Sequence, residues 1–278
     1  MKIILAKSNG FCAGVARAIK MAEQHPNAVI IGGGIINNPS VTKRLQDEFG
    51  ISPEPNEMAI TSGTAIIRSQ GTSPAIEKEL ISRGVKLIDA TCPFVKNVQA
   101  QIKKLTDEGF HIILMGDKHH YEVKGLIGYT NGDNVDIVAD MTELKNLLPI
   151  PHKKIALASQ TTKDINLLNQ MSTFLSENNI EHDLHDTTCK AVVNRQTEAL
   201  DISKTIDIAI VVGGKISSNT KLLVDTMSPN CKTYFIESAN EINPEWFLGA
   251  MSCGIVGGAS TPAYIIQEVV DVIPKHTI

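Results

Sequence analysis

Three cysteines, Cys12, Cys92 and Cys189, stand at similar places in the chain, each where a short apolar strand gives way to a helical pattern. Pro93 follows Cys92, and proline is favoured at the first helical position because the N–H that it lacks would be unpaired there. The dipole and free N–H groups of a helix N-terminus favour a thiolate over a thiol. The three residues are therefore candidate metal ligands or reactive thiols.

Spacing alone leaves several interpretations open, because isolated cysteines are also common as small buried hydrophobic residues. A zinc ion on three cysteines would need a fourth ligand such as histidine. A 4Fe–4S cluster on three cysteines would leave one iron free to bind a substrate oxygen. His182 and His185 lie near Cys189 at metal-like spacing, but the alternation in HDLH is more typical of an edge strand. Cys231 and Cys253 lack such a setting and are interpreted as structural.

Six loops that follow candidate strands are rich in small and polar residues, and they read IGGGIINN, SQGTS, GDKHHYE, ASQTT, VGGKISSNT and VGGAST. Ligands of open α/β sheets bind beyond the carboxyl ends of the strands, where hydroxyls and helix N-termini hold anions. One such loop is ordinary helix capping, but six indicate a polar pocket for an anionic small molecule. His120 and Glu122 could contact an anion and donate a proton, although that stretch alone is more typical of a solvated turn.

Short apolar strands alternate with helical patterns along the chain, which predicts an α/β protein with parallel sheets. The predicted strands are 3–6, 28–31, 65–67, 85–88, 112–115, 135–138, 155–158, 208–212, 233–236 and 254–256. Helices are predicted between most of them, for example at 40–49, 73–83, 164–176 and 262–273. Because these strands exceed one comfortable sheet, we predict three small pseudo-symmetric α/β domains, 1–90, 91–188 and 189–278, with one junction cysteine each.

Composition narrows the classes of partner. The 278 residues carry a net charge of −4, only 4% are aromatic, and no block of Lys and Arg occurs, so nucleic acid and anionic membrane are not expected partners. No apolar run approaches membrane-spanning length, and the first apolar stretch is too short for a signal peptide. The sequence therefore predicts a cytoplasmic protein, in which a disulfide framework is not expected.

The motifs GFCAGV, DATCP, HYEVKG, QTT, CKAVVNRQ, SSN and GASTP together resemble those of the 4-hydroxy-3-methylbut-2-enyl diphosphate reductase family, IspH/LytB, over nearly the whole chain. The resemblance implies a three-domain α/β trefoil around a central 4Fe–4S cluster, with one iron not ligated by protein. It implies reductive removal of an allylic hydroxyl to give isopentenyl and dimethylallyl diphosphate. It also implies an electron donor such as ferredoxin or flavodoxin.

The resemblance also implies roles for individual residues. Cys12, Cys92 and Cys189 match the cluster ligands of the family. Glu122 matches its proton-delivering carboxylate, and Thr161 matches the threonine that hydrogen-bonds the substrate hydroxyl. The positions taken as substrate-binding are Asn37, Gln70, His120, Asn194, Ser217, Ser218, Asn219 and Ser260.

The chain departs from the family pattern at several of these positions. Asn37 and Gln70 stand where histidines normally face the diphosphate, Val192 and Val193 where hydroxyls are usual, and Tyr121 where a proline is usual. Asn and Gln cannot become cationic, and a charge-assisted hydrogen bond is roughly twice as strong as a neutral one. Three hypotheses follow: a reductase of this diphosphate, a relative that reductively removes an oxygen group from another substrate, and a non-catalytic metal or cluster sensor.

Overall fold

The computed structural model describes residues 1–132, 134–151 and 154–273, and these contain twelve strands and ten α-helices. The strands are β1 (Lys2–Leu5), β2 (Val29–Ile31), β3 (Ser52–Glu54), β4 (Thr64–Ile67), β5 (Lys86–Asp89), β6 (His111–Met115), β7 (Val135–Val138), β8 (Ile155–Ser159), β9 (Asp183–Leu184), β10 (Ile208–Val212), β11 (Lys232–Ile236) and β12 (Ser252–Gly257). The helices are α1 (Ala13–Glu23), α2 (Pro39–Phe49), α3 (Pro74–Ser82), α4 (Pro93–Asp107), α5 (Tyr121–Ile127), α6 (Met141–Asn146), α7 (Ile165–Glu177), α8 (Lys190–Ser203), α9 (Ser218–Met227) and α10 (Ala263–Val272).

Every predicted strand is present, and the edge strand predicted in HDLH is β9. The one strand that the sequence did not predict is β3, which contains Pro53. Proline cannot donate a hydrogen bond to a neighbouring strand, so it is confined to sheet edges. The strand accordingly lies at the edge of its sheet. It was not predicted because its three residues, Ser-Pro-Glu, show no apolar alternation.

The strands form three parallel sheets of four strands each, with the same connectivity. The orders are β3-β2-β4-β5, β7-β6-β8-β9 and β11-β10-β12-β1. In the last sheet the fourth strand comes from the start of the chain, where Lys2 pairs with Ser252 and Leu5 with Ile255. The predicted three-fold repetition is thus confirmed at the level of sheets. The contiguous division at residues 90 and 188 does not follow this pairing at the N-terminus, and as a set of domain boundaries it stays a prediction.

The chain divides into two compact units. The first unit comprises Met1–Ala16, Ile36–Lys43 and the chain from Lys190 onward, and it contains the sheet β11-β10-β12-β1. The second unit comprises Arg17–Ile35 and Arg44–Cys189, and it contains the other two sheets.

Helices cover both faces of these sheets, because the central strands are apolar on both sides. In β10, Ile208, Ile210 and Val212 lie in one buried cluster, whereas Ala209 and Val211 lie in another on the opposite face. Burying a Val or Ile side chain contributes roughly 1.5–3 kcal/mol, so this two-sided burial fixes each sheet between helices. Within the described residues, no helix combines the length and the apolar character that a bilayer crossing needs.

The connectivity creates an equivalent crevice in each sheet. The strand that follows β2, β6 or β10 in the chain lies at one edge of the sheet, whereas the strand that follows β4 or β8 lies at the other edge. In the third sheet that other edge, beside β12, is taken by β1. A reversal of this kind is a topological switch point, beside which ligands of α/β sheets bind. The six polar loops that the sequence singled out are those that follow these six strands.

Candidate active site

The carboxylate of Glu122 lies at the switch point of the sheet β7-β6-β8-β9, and it is only 1% exposed. Glu122 is in the first turn of α5, after β6, and its partner Thr161 follows β8. Oε1 accepts the backbone N–H of Thr161 at 2.7 Å, and Oε2 accepts its hydroxyl at 2.9 Å. The fold therefore brings together two residues that the sequence assigned to catalysis.

Burial raises the pKa of Glu122 from 4.5 to about 7, and the two hydrogen bonds from Thr161 oppose that rise. Burial acts in this direction because a charged carboxylate loses water. A carboxyl group with a pKa near neutrality can hold a proton and release it at physiological pH, which is the property of a general acid.

His120 is the N-cap of α5, at the end of the loop that follows β6. Its Nδ1 accepts the N–H of Glu122 at 3.2 Å, so a neutral ring carries its proton on Nε2. Burial lowers the pKa of His120 to about 4, helped by Arg68 and opposed by Asp117. At neutral pH this imidazole is therefore an uncharged donor, not a cation.

Gln160 holds the two loops of this switch point together. It is fully buried, its Oε1 accepts the N–H of Asp117 at 3.1 Å, and its Nε2 donates to Thr162 at 2.9 Å. The residue before Thr161 thus fixes the loop that leads to Glu122. Its position in the QTT motif was noticed in the sequence, but its bridging role was not.

The sheet β3-β2-β4-β5 places Arg68 and Gln70 after β4. Arg68 is 5% exposed, donates to the carbonyl of Gly32 at 3.0 Å and lies 4.7 Å from the centre of the Tyr121 ring. Burial lowers the pKa of Arg68 to about 10, which still leaves it cationic at neutral pH. Gln70 is half-buried, and its Oε1 is inaccessible to water and has no hydrogen-bond partner among the described residues.

Tyr121, between His120 and Glu122, packs on the loop after β2. Its hydroxyl donates to Glu57 Oε1 at 3.1 Å, and its ring lies against Gly32. Gly32 has a φ of +71°, and a Cβ there would overlap the Tyr121 ring. A glycine at position 32 is therefore required both by backbone conformation and by the tyrosine that packs on it.

In the first unit, the loops after β10 and β12 form a polar cradle, defined by Ser217, Ser218, Asn219 and Ser260. Ser217 caps α9 by accepting the N–H of Thr220 at 3.3 Å. Asn219 and Ser260 are 4% and 7% exposed. The side-chain amide of Asn219 and the hydroxyl of Ser260 are buried without a hydrogen-bond partner within the part of the chain that the structure describes.

Such unpaired groups are costly, at about 1–3 kcal/mol each, so they indicate a polar ligand. Two asparagines of the first unit lie by the same loops. Asn38 donates to the carbonyl of Ser260 at 2.9 Å, and a Cβ on Gly214 would overlap the carbonyl of Asn37. Asn38 was not among the predicted site residues. A single signal could have indicated it, since it lies in the polar loop that contains Asn37.

The three junction cysteines occupy equivalent positions. Cys12, Cys92 and Cys189 each directly precede a helix, and none is in a disulfide. Their backbone N–H groups donate to residues that follow the third strand of each sheet: to Ala259 at 3.1 Å, to Ser69 at 2.9 Å and to Thr161 at 2.9 Å. The predicted placement at helix N-termini is confirmed.

Cys12, Cys92 and Cys189 have the donor chemistry of iron–sulfur clusters, which proteins hold by cysteine thiolates. Within the described residues, no three His, Cys, Asp or Glu side chains are grouped to hold one metal ion. A cluster instead takes its thiolates on different irons, so its ligands need not converge on one point. Of the other two cysteines, burial raises the pKa of Cys253 to about 12 and also raises that of Cys231.

The remaining predicted positions lie on α8. Val192 is 4% exposed, Val193 is half-buried, and Asn194 is exposed beside Lys7 and Glu198. The histidines of HDLH make contacts of a structural kind: His182 with Ser172, and His185 with Gln101.

The repeated parallel sheets, the buried acid at a switch point and the three cysteines that directly precede helices are the features of an α/β enzyme. The chain belongs to the LytB protein family, whose model matches residues 3–274. It is 44% identical over 272 residues to a protein from Campylobacter hominis called 4-hydroxy-3-methylbut-2-enyl diphosphate reductase, covering 97% of this chain and 98% of that one.

Two solved structures are similar to the chain. One is the E-1-hydroxy-2-methyl-but-2-enyl-4-diphosphate reductase from Plasmodium falciparum, with a TM-score of 0.91, 27% identity, and coverage of 98% of this chain and 87% of that one. The other is an (E)-4-hydroxy-3-methyl-but-2-enyl diphosphate reductase described as the terminal enzyme of the non-mevalonate pathway. Its TM-score is 0.69 and its identity 35%, and 98% of each chain is covered.

Proposed function

We propose that the chain reduces 4-hydroxy-3-methylbut-2-enyl diphosphate to isopentenyl and dimethylallyl diphosphate. The observation that carries this proposal is the buried pair of Glu122 and Thr161, in which the acid has a pKa of about 7. The names of the relatives support the same substrate.

The reaction breaks the allylic carbon–oxygen bond and consumes two electrons and two protons. One proton leaves with the oxygen as water, and the other forms the new carbon–hydrogen bond. Glu122 is the donor to the leaving hydroxyl, because a proton held at a pKa of about 7 can be transferred and replaced at neutral pH. Thr161 orients both the acid and the hydroxyl, since its own hydroxyl lies 2.9 Å from Glu122 Oε2.

Cys12, Cys92 and Cys189 would hold the iron–sulfur cluster. A 4Fe–4S cluster bound by these three thiolates would have one iron without a protein ligand, and it would supply the electrons, received from a donor such as ferredoxin or flavodoxin. Each of these cysteines directly precedes a helix, so the three candidate ligands share one kind of local setting.

The polar cradle would hold the diphosphate. The unpaired amide of Asn219 and hydroxyl of Ser260 can donate to phosphate oxygens, and the N-terminus of α9 favours an anion. Asn37 and Gln70 are amides, and burial keeps the pKa of His120 near 4. All three positions would therefore offer neutral donors and no cation. We expect weaker diphosphate affinity than a site with two more charged groups would have.

The direct test is turnover by protein reconstituted with iron and sulfide under anaerobic conditions, with a strong one-electron reductant. Formation of both C5 diphosphates would support the proposal, and Glu122→Gln should lower the rate by about 10²–10⁴-fold while iron and sulfide content stay unchanged. Thr197→Ala is a matched control, because Thr197 is exposed on α8 and its hydroxyl donates to the carbonyl of Val193 in the same helix. Full turnover by Glu122→Gln would overturn the role of the acid.

A second candidate is reductive removal of an oxygen group from a different substrate. The observation that favours it is Gln70, whose buried Oε1 is an acceptor in need of a donor that a fully ionised diphosphate lacks. Turnover of the C5 diphosphate should then be absent in a sample with an intact cluster. The double variant Asn37→His with Gln70→His should gain diphosphate binding, and no gain would count against this candidate. Zinc without iron or sulfide would instead indicate the non-catalytic sensor.

A further inference from the structure

Helix α8 begins directly after Cys189, and its side chains bind the loop that leads from β1 to a different cysteine, Cys12. Arg195 lies in its second turn and is 6% exposed. Its guanidinium donates to the carbonyls of Ser8, of Gly10 at 2.8 Å and of Gly257 at 3.1 Å. Two of these carbonyls lie between β1 and Cys12, and the third ends β12.

Glu198, in the next turn of α8, binds backbone N–H groups of the same loop, whereas Arg195 binds its carbonyls. Glu198 accepts the N–H of Lys7 at 2.6 Å and the N–H of Ser8 at 2.9 Å. Burial raises the pKa of Glu198, but these N–H donors outweigh it and lower the pKa overall, so the group is ionised at neutral pH. The side chain of Asn9 then accepts the N–H of Gly257 at 2.6 Å.

Residues 7–10 of this loop are therefore held by hydrogen bonds from α8 and from β12, although they have no regular secondary structure. Backbone groups in such a loop need partners, and charged side chains provide the strongest ones. The loop ends at Cys12, whose own N–H donates to Ala259. We call Arg195 and Glu198 the α8 clamp.

The other two cysteine helices make related contacts. Arg17 of α1, the helix after Cys12, donates to the carbonyl of Thr91 at 3.0 Å, directly before Cys92. Gln101 of α4, the helix after Cys92, bonds His185 at 2.8 Å, four residues before Cys189. Each helix that starts at one cysteine thus supports the segment in front of another.

We propose that the α8 clamp positions Cys12 for cluster binding, and that Arg195 and Glu198 are positioning residues for that ligand. The ligand role of Cys12 rests on the proposed function. Nothing in the clamp touches substrate, so its effect should be on cluster retention and on the reactivity of Cys12 and not on the chemistry of the acid.

The test begins with the metal-free protein, so that it does not depend on cluster assembly. Rates of alkylation of Cys12 and Cys92 by iodoacetamide are measured in one sample by peptide mass spectrometry. Arg195→Gln should raise the rate at Cys12 by roughly tenfold, because a loop held by charged bonds opens more often when they are lost. The rate at Cys92 should not change, whereas Arg17→Gln should raise the rate at Cys92 and not at Cys12.

Thr197→Ala is the control on the same helix and should change neither rate. Glu198→Gln is the milder second variant, because its side chain is half-buried, and far-UV circular dichroism verifies that each variant is folded. Arg195→Lys should protect Cys12 from alkylation better than Arg195→Gln does but less well than wild type, since one ammonium cannot reach all three carbonyls. Equal acceleration at both cysteines, or none at Cys12, would overturn the proposal.

The reconstituted protein then separates this inference from the proposed function. Loss of iron to a chelator should be roughly tenfold faster in Arg195→Gln than in wild type. If wild-type protein binds a cluster and the variant retains it equally well, the clamp proposal is wrong and the function stands. If wild-type protein takes up no iron and sulfide, the proposed function fails, while the alkylation ratio still decides whether the clamp orders Cys12.

Discussion

The carboxylate of Glu122 accepts two hydrogen bonds from one residue, Thr161: one from its N–H at 2.7 Å and one from its hydroxyl at 2.9 Å. Both bonds stabilise the ionised form, whereas burial stabilises the neutral form and is the larger effect. The pKa of about 7 is the balance of these opposing contributions. Changes on either side of the pair should therefore move this pKa in a known direction.

The first consequence is a pH-dependent stability. Folded protein keeps the Glu122 proton up to about pH 7, whereas an ordinary glutamate releases it near 4.5. Between these values the folded state binds more protons, so the free energy of unfolding should fall as pH rises, by up to about 1.4 kcal/mol per pH unit. Glu122→Gln should remove this slope, which urea unfolding between pH 4.5 and 8 would measure. Parallel curves for the variant and the wild type would contradict the raised pKa.

Thr161→Val removes the hydroxyl but keeps the backbone donor. Because Glu122 Oε2 then loses its partner in a buried site, the free energy of unfolding should fall by about 1–3 kcal/mol. The pKa of Glu122 should rise further, since the hydrogen bond that lowered it is gone. The pH window in which stability falls should therefore extend above pH 7. Thr161→Ser keeps the hydroxyl and is the matched control, with a profile close to that of wild type.

Ser260→Ala should separate ligand binding from stability. The Ser260 hydroxyl is buried without a hydrogen-bond partner among the described residues, so its removal should leave the free energy of unfolding of the ligand-free protein unchanged or slightly higher. Affinity for inorganic pyrophosphate, measured by calorimetry, should fall by roughly tenfold, because a hydrogen bond to a charged group is lost. Ser228→Ala, at an exposed position after α9, is the control and should bind as wild type does. A stability loss without a change in affinity would show a structural hydroxyl.

Local pattern was sufficient to predict every strand except β3, the cysteines that directly precede helices and the polar loops. Apolar runs of strand length mark buried parallel strands, and Gly, Ser and Thr mark the loops at their ends. The resemblance then supplied Glu122 and Thr161, which the fold brings into contact. None of this information is long-range.

What the sequence could not predict depends on tertiary contacts. The pairing of β1 with β12 joins residues about as far apart as the chain allows, and no local pattern encodes it. Arg68 and Arg195 are charged residues that a sequence assigns to the surface, but both are nearly buried because backbone carbonyls accept their N–H groups. Asn194 has the opposite outcome: it is exposed, and its substrate-binding role stays a prediction.

Gly32 and Tyr121 should be energetically coupled, because the ring of the tyrosine lies where a Cβ on residue 32 would be. Gly32→Ala should lower the free energy of unfolding by about 2–5 kcal/mol, through overlap with the ring and through a φ of +71°.

A double-mutant cycle separates the two causes. In a Tyr121→Ala background the overlap disappears, so Gly32→Ala should cost only about 1–2 kcal/mol. Gly63→Ala provides the backbone cost alone, since Gly63 has a φ of +86° and its Cβ would meet nothing within 4 Å. Equal losses for Gly32→Ala and Gly63→Ala in the wild-type background would show that Tyr121 does not press on Gly32. A difference that vanishes with Tyr121→Ala would show that the ring of Tyr121 is the reason why residue 32 must be glycine.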